Sequence, residues 1–200
     1  MANASPADDK PKRLRLFVSI NLPDEVRQRL AKLQAEAGRS IGKCVRWTRP
    51  EQLHLTLKFL AHIDEKEVPE LRAALGEACK NVKHFVLEGA TVGCFPRPST
   101  PRIIWVGIMG DVARLLPLQK QLDDATASWR EAETRPFTAH LTIGRVNEPN
   151  HAQRQAIGQF IEANQSSRFG QWTVQEIDLM QSRLSPTGST YTRVDSYRLV

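Results

Sequence analysis

One nine-residue pattern occurs twice in this chain of 200 residues. The stretch "RPEQLHLTL" covers residues 49–57, and "RPFTAHLTI" covers residues 135–143. In each copy an Arg-Pro pair leads into the sequence His-Leu-Thr. A single copy is no more than a strand with a common composition. Two copies with the same lead-in indicate one site that is assembled from two halves of the chain.

The repeated stretch has the alternation of a half-buried strand, in which successive side chains point to opposite faces. The aliphatic residues of each copy form the buried face. The opposite face carries His54 and Thr56 in the first copy and His140 and Thr142 in the second. Two such strands placed side by side predict a cleft with two imidazoles and two hydroxyls.

This set of side chains suits displacement at phosphorus, which needs attacking and leaving oxygens roughly in line. A histidine with an ordinary pKa of about 6.5 can serve as acid or as base near neutral pH. Threonine hydroxyls can donate to the phosphate oxygens, where negative charge accumulates. No Asp, Glu or Cys stands within either His-Leu-Thr motif. The sequence therefore predicts neither a metal site nor a cofactor.

Composition favours an ordinary globular chain, with 40% hydrophobic and 25% charged residues. The net charge of +6 would suit a phosphate-bearing partner. This charge is only weak support for such a partner, because Lys10, Lys12, Arg13 and Arg15 lie in or beside a predicted tail. The longest apolar stretch, residues 103–110, is too short to span a bilayer. The N-terminus lacks the apolar segment of a secretory signal, so we expect a cytoplasmic protein without membrane association.

Strand and helix patterns alternate along the chain, and some neighbouring strands form hairpins, which predicts an α+β fold with antiparallel sheet. Residues 1–12 are predicted to be a flexible tail, and residues 13–200 a single domain. Pro117 is interpreted as marking the first turn of the third helix. The C-terminal stretch from residue 171 is predicted to be a two-stranded hairpin around the turn "SPTG".

Five segments of this sequence resemble the 2H phosphoesterase superfamily, and within it the bacterial RNA 2′,3′-cyclic phosphodiesterases, also called 2′-5′ RNA ligases. The segments are "RLFVSINLP", "RWTRPEQLHLTLKFL", "CFPRPSTPRIIWVGI", "RPFTAHLTIGR" and "LSPTGSTY". The resemblance implies a bilobal fold of two pseudo-symmetric halves around a central cleft. It also implies hydrolysis of a terminal 2′,3′-cyclic phosphate of RNA to a 2′-phosphomonoester, without metal. By the family pattern, His54 is the proton donor and His140 the proton acceptor. Nothing in the resemblance implies a protein partner.

Three further residues are candidates for the same site. Arg145 lies five residues after His140, so in an ideal strand it would point away, and a phosphate-binding role requires a bend at Gly144. Otherwise it is a surface arginine. Phe17 and Trp47 could stack on a nucleobase or could pack in the core.

Two other classes of function are compatible with the sequence. A non-enzymatic RNA-binding module could use the histidines only to line a groove, although binding alone does not need two opposed imidazoles. An enzyme with the same site could instead ligate RNA through a 2′-5′ linkage, or hydrolyse a small cyclic nucleotide. Turnover of a cyclic phosphate in EDTA separates the binding module from the enzymes.

Overall fold

Antiparallel strands and four helices make up the part of the chain that the computed structural model describes, residues 12–129, 136–186 and 188–200. The helices are α1 (Asp24–Ile41), α2 (Val68–Cys79), α3 (Val112–Ala125) and α4 (His151–Ala163). The strands are β1 (Arg13–Asn21), β2 (Val45–Trp47), β3 (His54–Asp64), β4 (Phe85–Phe95), β5 (Ile103–Gly110), β6 (His140–Val146), β7 (Arg168–Val174), β8 (Glu176–Ser185) and β9 (Gly188–Arg198). The predicted α+β class is confirmed.

The two strands that carry the repeated motif are central neighbours in one sheet. Its order is β7-β4-β5-β6-β3-β1-β8-β9, with β2 added along β6. From β6 the sheet continues outward through β5, β4 and β7, and from β3 through β1, β8 and β9. This even division gives the two pseudo-symmetric halves that the resemblance implies. The halves meet in the sheet where Leu55 pairs with Leu141.

The core lies between the helices and one face of this sheet. Helix α3 contacts β3, whereas α1 contacts β7 and α4 contacts β4. The aliphatic residues of both repeated motifs point toward the helices, and Leu55, Leu141 and Ile143 have no exposed surface. The opposite face of β3 and β6 is left open, and the cleft forms there.

Two predictions about local structure are wrong. Pro117 lies inside α3, which begins at Val112, and not in its first turn. The helix tolerates a missing backbone donor because Leu115, Leu118 and Leu122 are all fully buried on its inner face. The C-terminal region forms three strands in place of two, since β7 precedes the predicted hairpin of β8 and β9 and pairs with β4.

Residues 1–11 of the predicted tail lie outside the described residues. Lys12 is held beside β1, since its Nζ forms an ion pair with Glu65 at 2.7 Å and its carbonyl accepts the backbone N–H of Glu65. Among the described helices none is long and apolar enough to cross a membrane.

Candidate active site

The two motif strands bring both histidines and both threonines into one cleft. Because β3 and β6 run antiparallel and pair at Leu55 and Leu141, His54 lies across from Thr142, and Thr56 lies across from His140. All four polar residues line a single cleft of about 370 Å³. The chain is folded so that each half supplies one imidazole and one hydroxyl to the same space.

Both imidazoles are oriented by the same kind of hydrogen bond. Nδ1 of His54 lies 2.7 Å from the carbonyl oxygen of Gln52, and Nδ1 of His140 lies 2.7 Å from the carbonyl oxygen of Thr138. In each case the acceptor is two residues upstream, at the entrance to the strand. A carbonyl can only accept, so Nδ1 carries the proton and Nε2 is the nitrogen left for chemistry.

The surroundings of His54 lower its pKa. Its ring stacks on Phe17 at 4.9 Å between centroids, and Tyr191 meets it edge-on at 5.4 Å. Burial lowers the pKa of His54 below its ordinary value of 6.5, and the positive charge of Arg27 lowers it further. The hydrogen bond to Gln52 acts in the opposite direction. His54 is therefore mostly neutral at pH 7 in the free protein.

His140 has a different neighbour. Phe95 meets its ring edge-on at 5.1 Å, and Phe95 in turn lies 5.3 Å from the ring of Trp105. The two imidazoles therefore share a hydrogen-bond pattern and differ in what encloses them.

A bulge in β6 brings Arg145 to the cleft. Thr142 pairs with Trp105, whereas Gly144 pairs with the very next residue of β5, Ile104, so one residue of β6 is extra. The extra residue reverses the alternation, and Arg145 lines the cleft beside Thr142. The bend that the sequence required at Gly144 is thus present.

The same irregularity occurs in β3. Thr56 pairs with Ser19 of β1, and Lys58 pairs with its neighbour Val18, which again leaves one extra residue. Phe59 consequently faces the cleft, five residues after His54, just as Arg145 lies five residues after His140. The first half therefore has an aromatic ring where the second half has a guanidinium.

Trp47 and Phe17 both line the cleft and both pack on its walls. A Cβ on Gly144 would come within 3.0 Å of the Trp47 ring, so the indole lies directly on the backbone of β6. Phe17 is 4% exposed and stacks on His54. Contact of either ring with a nucleobase stays a prediction.

Several residues that line the cleft were not identified from the sequence: Arg15, Arg46, Arg49, Gln52, Phe59 and Tyr191. The alternation of side chains along β1 would predict that Arg15 faces the cleft, because it lies two residues before Phe17 and shares its face. Tyr191 gives no local signal, since it reaches the cleft only through the pairing of β9 with β8 and of β8 with β1.

The hairpin that carries Tyr191 is attached to the segment before His54. Nη2 of Arg49 donates to the carbonyl oxygen of Ser189 at 3.0 Å, and Nε2 of Gln52 donates to the same oxygen. This attachment holds β9 over the cleft, so that Tyr191 can contact His54.

The cleft is strongly cationic. Its described lining residues include four arginines and no Asp or Glu. Among the residues that the structure describes, no group of three or more His, Cys, Asp or Glu side chains is arranged to hold a metal ion. Such a surface favours an anionic ligand.

The family model described as LigT like Phosphoesterase matches the chain twice, over residues 20–105 and over residues 106–191. Each match contains one His-Leu-Thr motif. The resemblance that the motifs indicated is confirmed.

Relatives span nearly the whole chain. An RNA 2′,3′-cyclic phosphodiesterase of Archaeoglobus fulgidus is 30% identical over 178 residues, which cover 89% of this chain and 96% of the relative. One of Methanothermobacter thermautotrophicus is 27% identical over 187 residues, covering 94% of this chain and 100% of the relative. A similar fold occurs in the crystal structure of TT0787 of Thermus thermophilus, with a TM-score of 0.77, 27% identity and coverage of 93% of this chain and 98% of that one.

Proposed function

The chain belongs to the LigT-like phosphoesterase family, and from this membership we propose that it is an RNA 2′,3′-cyclic phosphodiesterase. The proposed reaction opens a terminal 2′,3′-cyclic phosphate of RNA to a 2′-phosphomonoester. Relatives in archaea and bacteria that cover most of the chain carry the name of this activity.

The observation that carries the proposal is the convergence of both motifs on one cleft. His54 and His140 reach it from neighbouring antiparallel strands, each with its Nδ1 bound to a backbone carbonyl. Thr56 and Thr142 lie across from them. This arrangement supports acid catalysis on one side of a phosphate and base catalysis on the other.

In the proposed mechanism, Nε2 of His140 accepts a proton from a water molecule as that water attacks phosphorus. The bond from phosphorus to O3′ breaks, and Nε2 of His54 donates its proton to the departing O3′. The 2′ ester bond is kept. A bound anionic phosphate favours the protonated form of His54, which offsets the effect of burial on its pKa.

The hydroxyls of Thr56 and Thr142 and the guanidinium of Arg145 are proposed to bind the non-bridging phosphate oxygens. Charge develops on these oxygens in the transition state, and fixed donors stabilise it there. With these donors in place, no metal ion is required. Phe17 and Trp47 are proposed to support the terminal nucleoside.

The test is to incubate the protein in EDTA with RNA that ends in a 2′,3′-cyclic phosphate, and to identify the product by phosphorus NMR. We expect complete conversion to the 2′-phosphomonoester. His54→Ala should reduce turnover by roughly 10²–10⁴-fold, whereas His62→Ala should not, because His62 is on the same strand but is exposed and outside the cleft.

Other outcomes would support other functions. Binding without turnover would indicate an RNA-binding module. A 3′-phosphate product would mean that O2′ is the leaving group. Activity that EDTA abolishes and one particular metal restores would contradict the metal-independent mechanism.

A further inference from the structure

Arg15 lines the cleft at a position that the proposed mechanism does not use. It lies on β1, two residues before Phe17, and the carbon of its guanidinium is 4.7 Å from the centre of the Phe59 ring. A planar guanidinium on an aromatic ring keeps its N–H donors at the edge, where they remain available to a ligand.

This guanidinium has no acceptor among the described residues. No carboxylate in that part of the chain lies within 4.0 Å of it, and its Nε is buried without a hydrogen-bond partner. A buried donor without a partner is costly, because it has lost its bonds to water. By contrast, Arg49, on the same cleft, is bound to Glu51 and to the carbonyl of Ser189.

Arg15 and Arg145 lie toward opposite ends of the cleft. Phe59 is four residues beyond Leu55 on β3, and Arg145 is four residues beyond Leu141 on β6. Since these strands are antiparallel and pair at Leu55 and Leu141, the two positions extend in opposite directions from the catalytic centre. Four residues of strand span roughly 13 Å, less the shortening by the bulge. Since Arg145 is proposed to bind the reacting phosphate, Arg15 at the opposite end of the cleft is left for a different group.

We propose that Arg15 binds a second phosphate, the phosphodiester that joins the terminal nucleotide of the substrate to its 5′ neighbour. This inference rests on the proposed function and adds a subsite to it. A strand end would be held at two phosphates, with the reacting one at the centre and the internal one on the guanidinium above Phe59. The subsite selects an oligonucleotide end over a cyclic mononucleotide.

The experiment measures the binding of reaction products, which does not depend on turnover. Dissociation constants are determined by calorimetry for a nucleoside 2′-monophosphate and for a dinucleotide with the same 2′-phosphorylated end. We expect the wild type to prefer the dinucleotide. Arg15→Met should weaken dinucleotide binding on the order of 10–100-fold, the usual effect of losing a hydrogen bond to a charged group. It should change mononucleotide binding less than about twofold.

Two further variants test whether the effect is specific to the guanidinium of Arg15. Arg13→Met removes the same charge from the same strand, but Arg13 does not line the cleft, so both affinities should stay at the wild-type level. Arg15→Lys should keep part of the preference. The slope of log affinity against log salt for the dinucleotide should fall by roughly 0.7 in Arg15→Met, as expected for one phosphate contact to a single strand.

Equal losses for both ligands would overturn the subsite, because Arg15 would then serve the terminal nucleotide. Unchanged affinities would overturn it as well, since Arg15 would only pack on Phe59. A cyclic-phosphate RNA that binds with the expected Arg15 dependence but is not hydrolysed would overturn the proposed activity and leave the subsite standing.

Discussion

At the scale of single residues, the two catalytic candidates are alike in orientation and different in environment. His54 and His140 each donate Nδ1–H to a carbonyl two residues upstream. Phe17 and Tyr191 both contact the ring of His54, and burial lowers the pKa of His54. The two histidines thus have the same tautomer but different neighbouring rings.

This difference predicts a pH dependence for a variant in which only His54 can act. In His140→Asn the residual kcat/KM reports the protonation of His54 in the free enzyme. A proton donor must be protonated, and the pKa of His54 is lowered, so the residual rate should fall as pH rises through a value below 6.5. The measurement is kcat/KM between about pH 5 and pH 8. A rate that instead increases with pH would make His54 the proton acceptor.

The spacing of residues in the sequence predicts which motif residues share a face, but it does not predict which other residues line the cleft. The five-residue separation of His140 and Arg145 correctly required a bend at Gly144. Phe59 has the same five-residue separation from His54, but an aromatic residue there gives no signal of a phosphate site. The sequence places Arg15 beside the predicted tail, and no motif assigns it to the site, although it lines the cleft.

At the scale of elements, the bulge in β3 serves both faces of the strand. It brings Phe59 to the cleft and leaves Lys58 on the helix side, where its Nζ forms an ion pair with Asp123 of α3. The Lys58 side chain is 5% exposed and that of Asp123 is 19% exposed. One ion pair therefore attaches α3 to the strand that carries His54 and Thr56.

Breaking this pair should destabilise the fold. Lys58→Met leaves the carboxylate of Asp123 without its partner, and should lower the free energy of unfolding by roughly 3 kcal/mol, the lower end for a buried pair because Asp123 keeps some contact with water. Adding Asp123→Leu should recover much of the loss. Lys120→Met is the control, since it breaks the exposed pair with Asp124 on the same helix and should cost under about 0.5 kcal/mol. The free energies of unfolding are measured by urea denaturation. Equal values for Lys58→Met and Lys120→Met would contradict this prediction.

Local sequence patterns predict the strands and helices in which apolar residues recur with a clear period. Strands β3 and β6 follow from alternation, and the hairpin of β8 and β9 follows from its turn. Pro117 misplaced the start of α3, because burial of the leucines on its inner face outweighs the local cost of proline. Strand β7 was missed because its partner is β4, far away in sequence.

At the scale of the whole molecule, elements of each segment that the family model matches pack against elements of the other segment. Helix α1 lies in the first family match, but it contacts β7 and α4 of the second. Strands β8 and β9 come late in the chain, yet they extend the sheet from β1. Such packing is expected if residues 13–200 form one domain, which stays a prediction. This packing depends on strands and helices that are far apart in sequence. Local sequence patterns therefore cannot predict it.

The central claim is that each half supplies one imidazole to a single reaction, and the direct test is a double-mutant cycle on kcat/KM with a cyclic-phosphate RNA. His54→Ala and His140→Ala should each reduce kcat/KM by roughly 10²–10⁴-fold, the usual contribution of a positioned acid or base. Because both act in one displacement, the double variant should lose less than the product of the single effects. If His140→Ala kept near wild-type turnover while His54→Ala was inactive, the two halves would not share one site, and the second motif would be only a strand of the sheet.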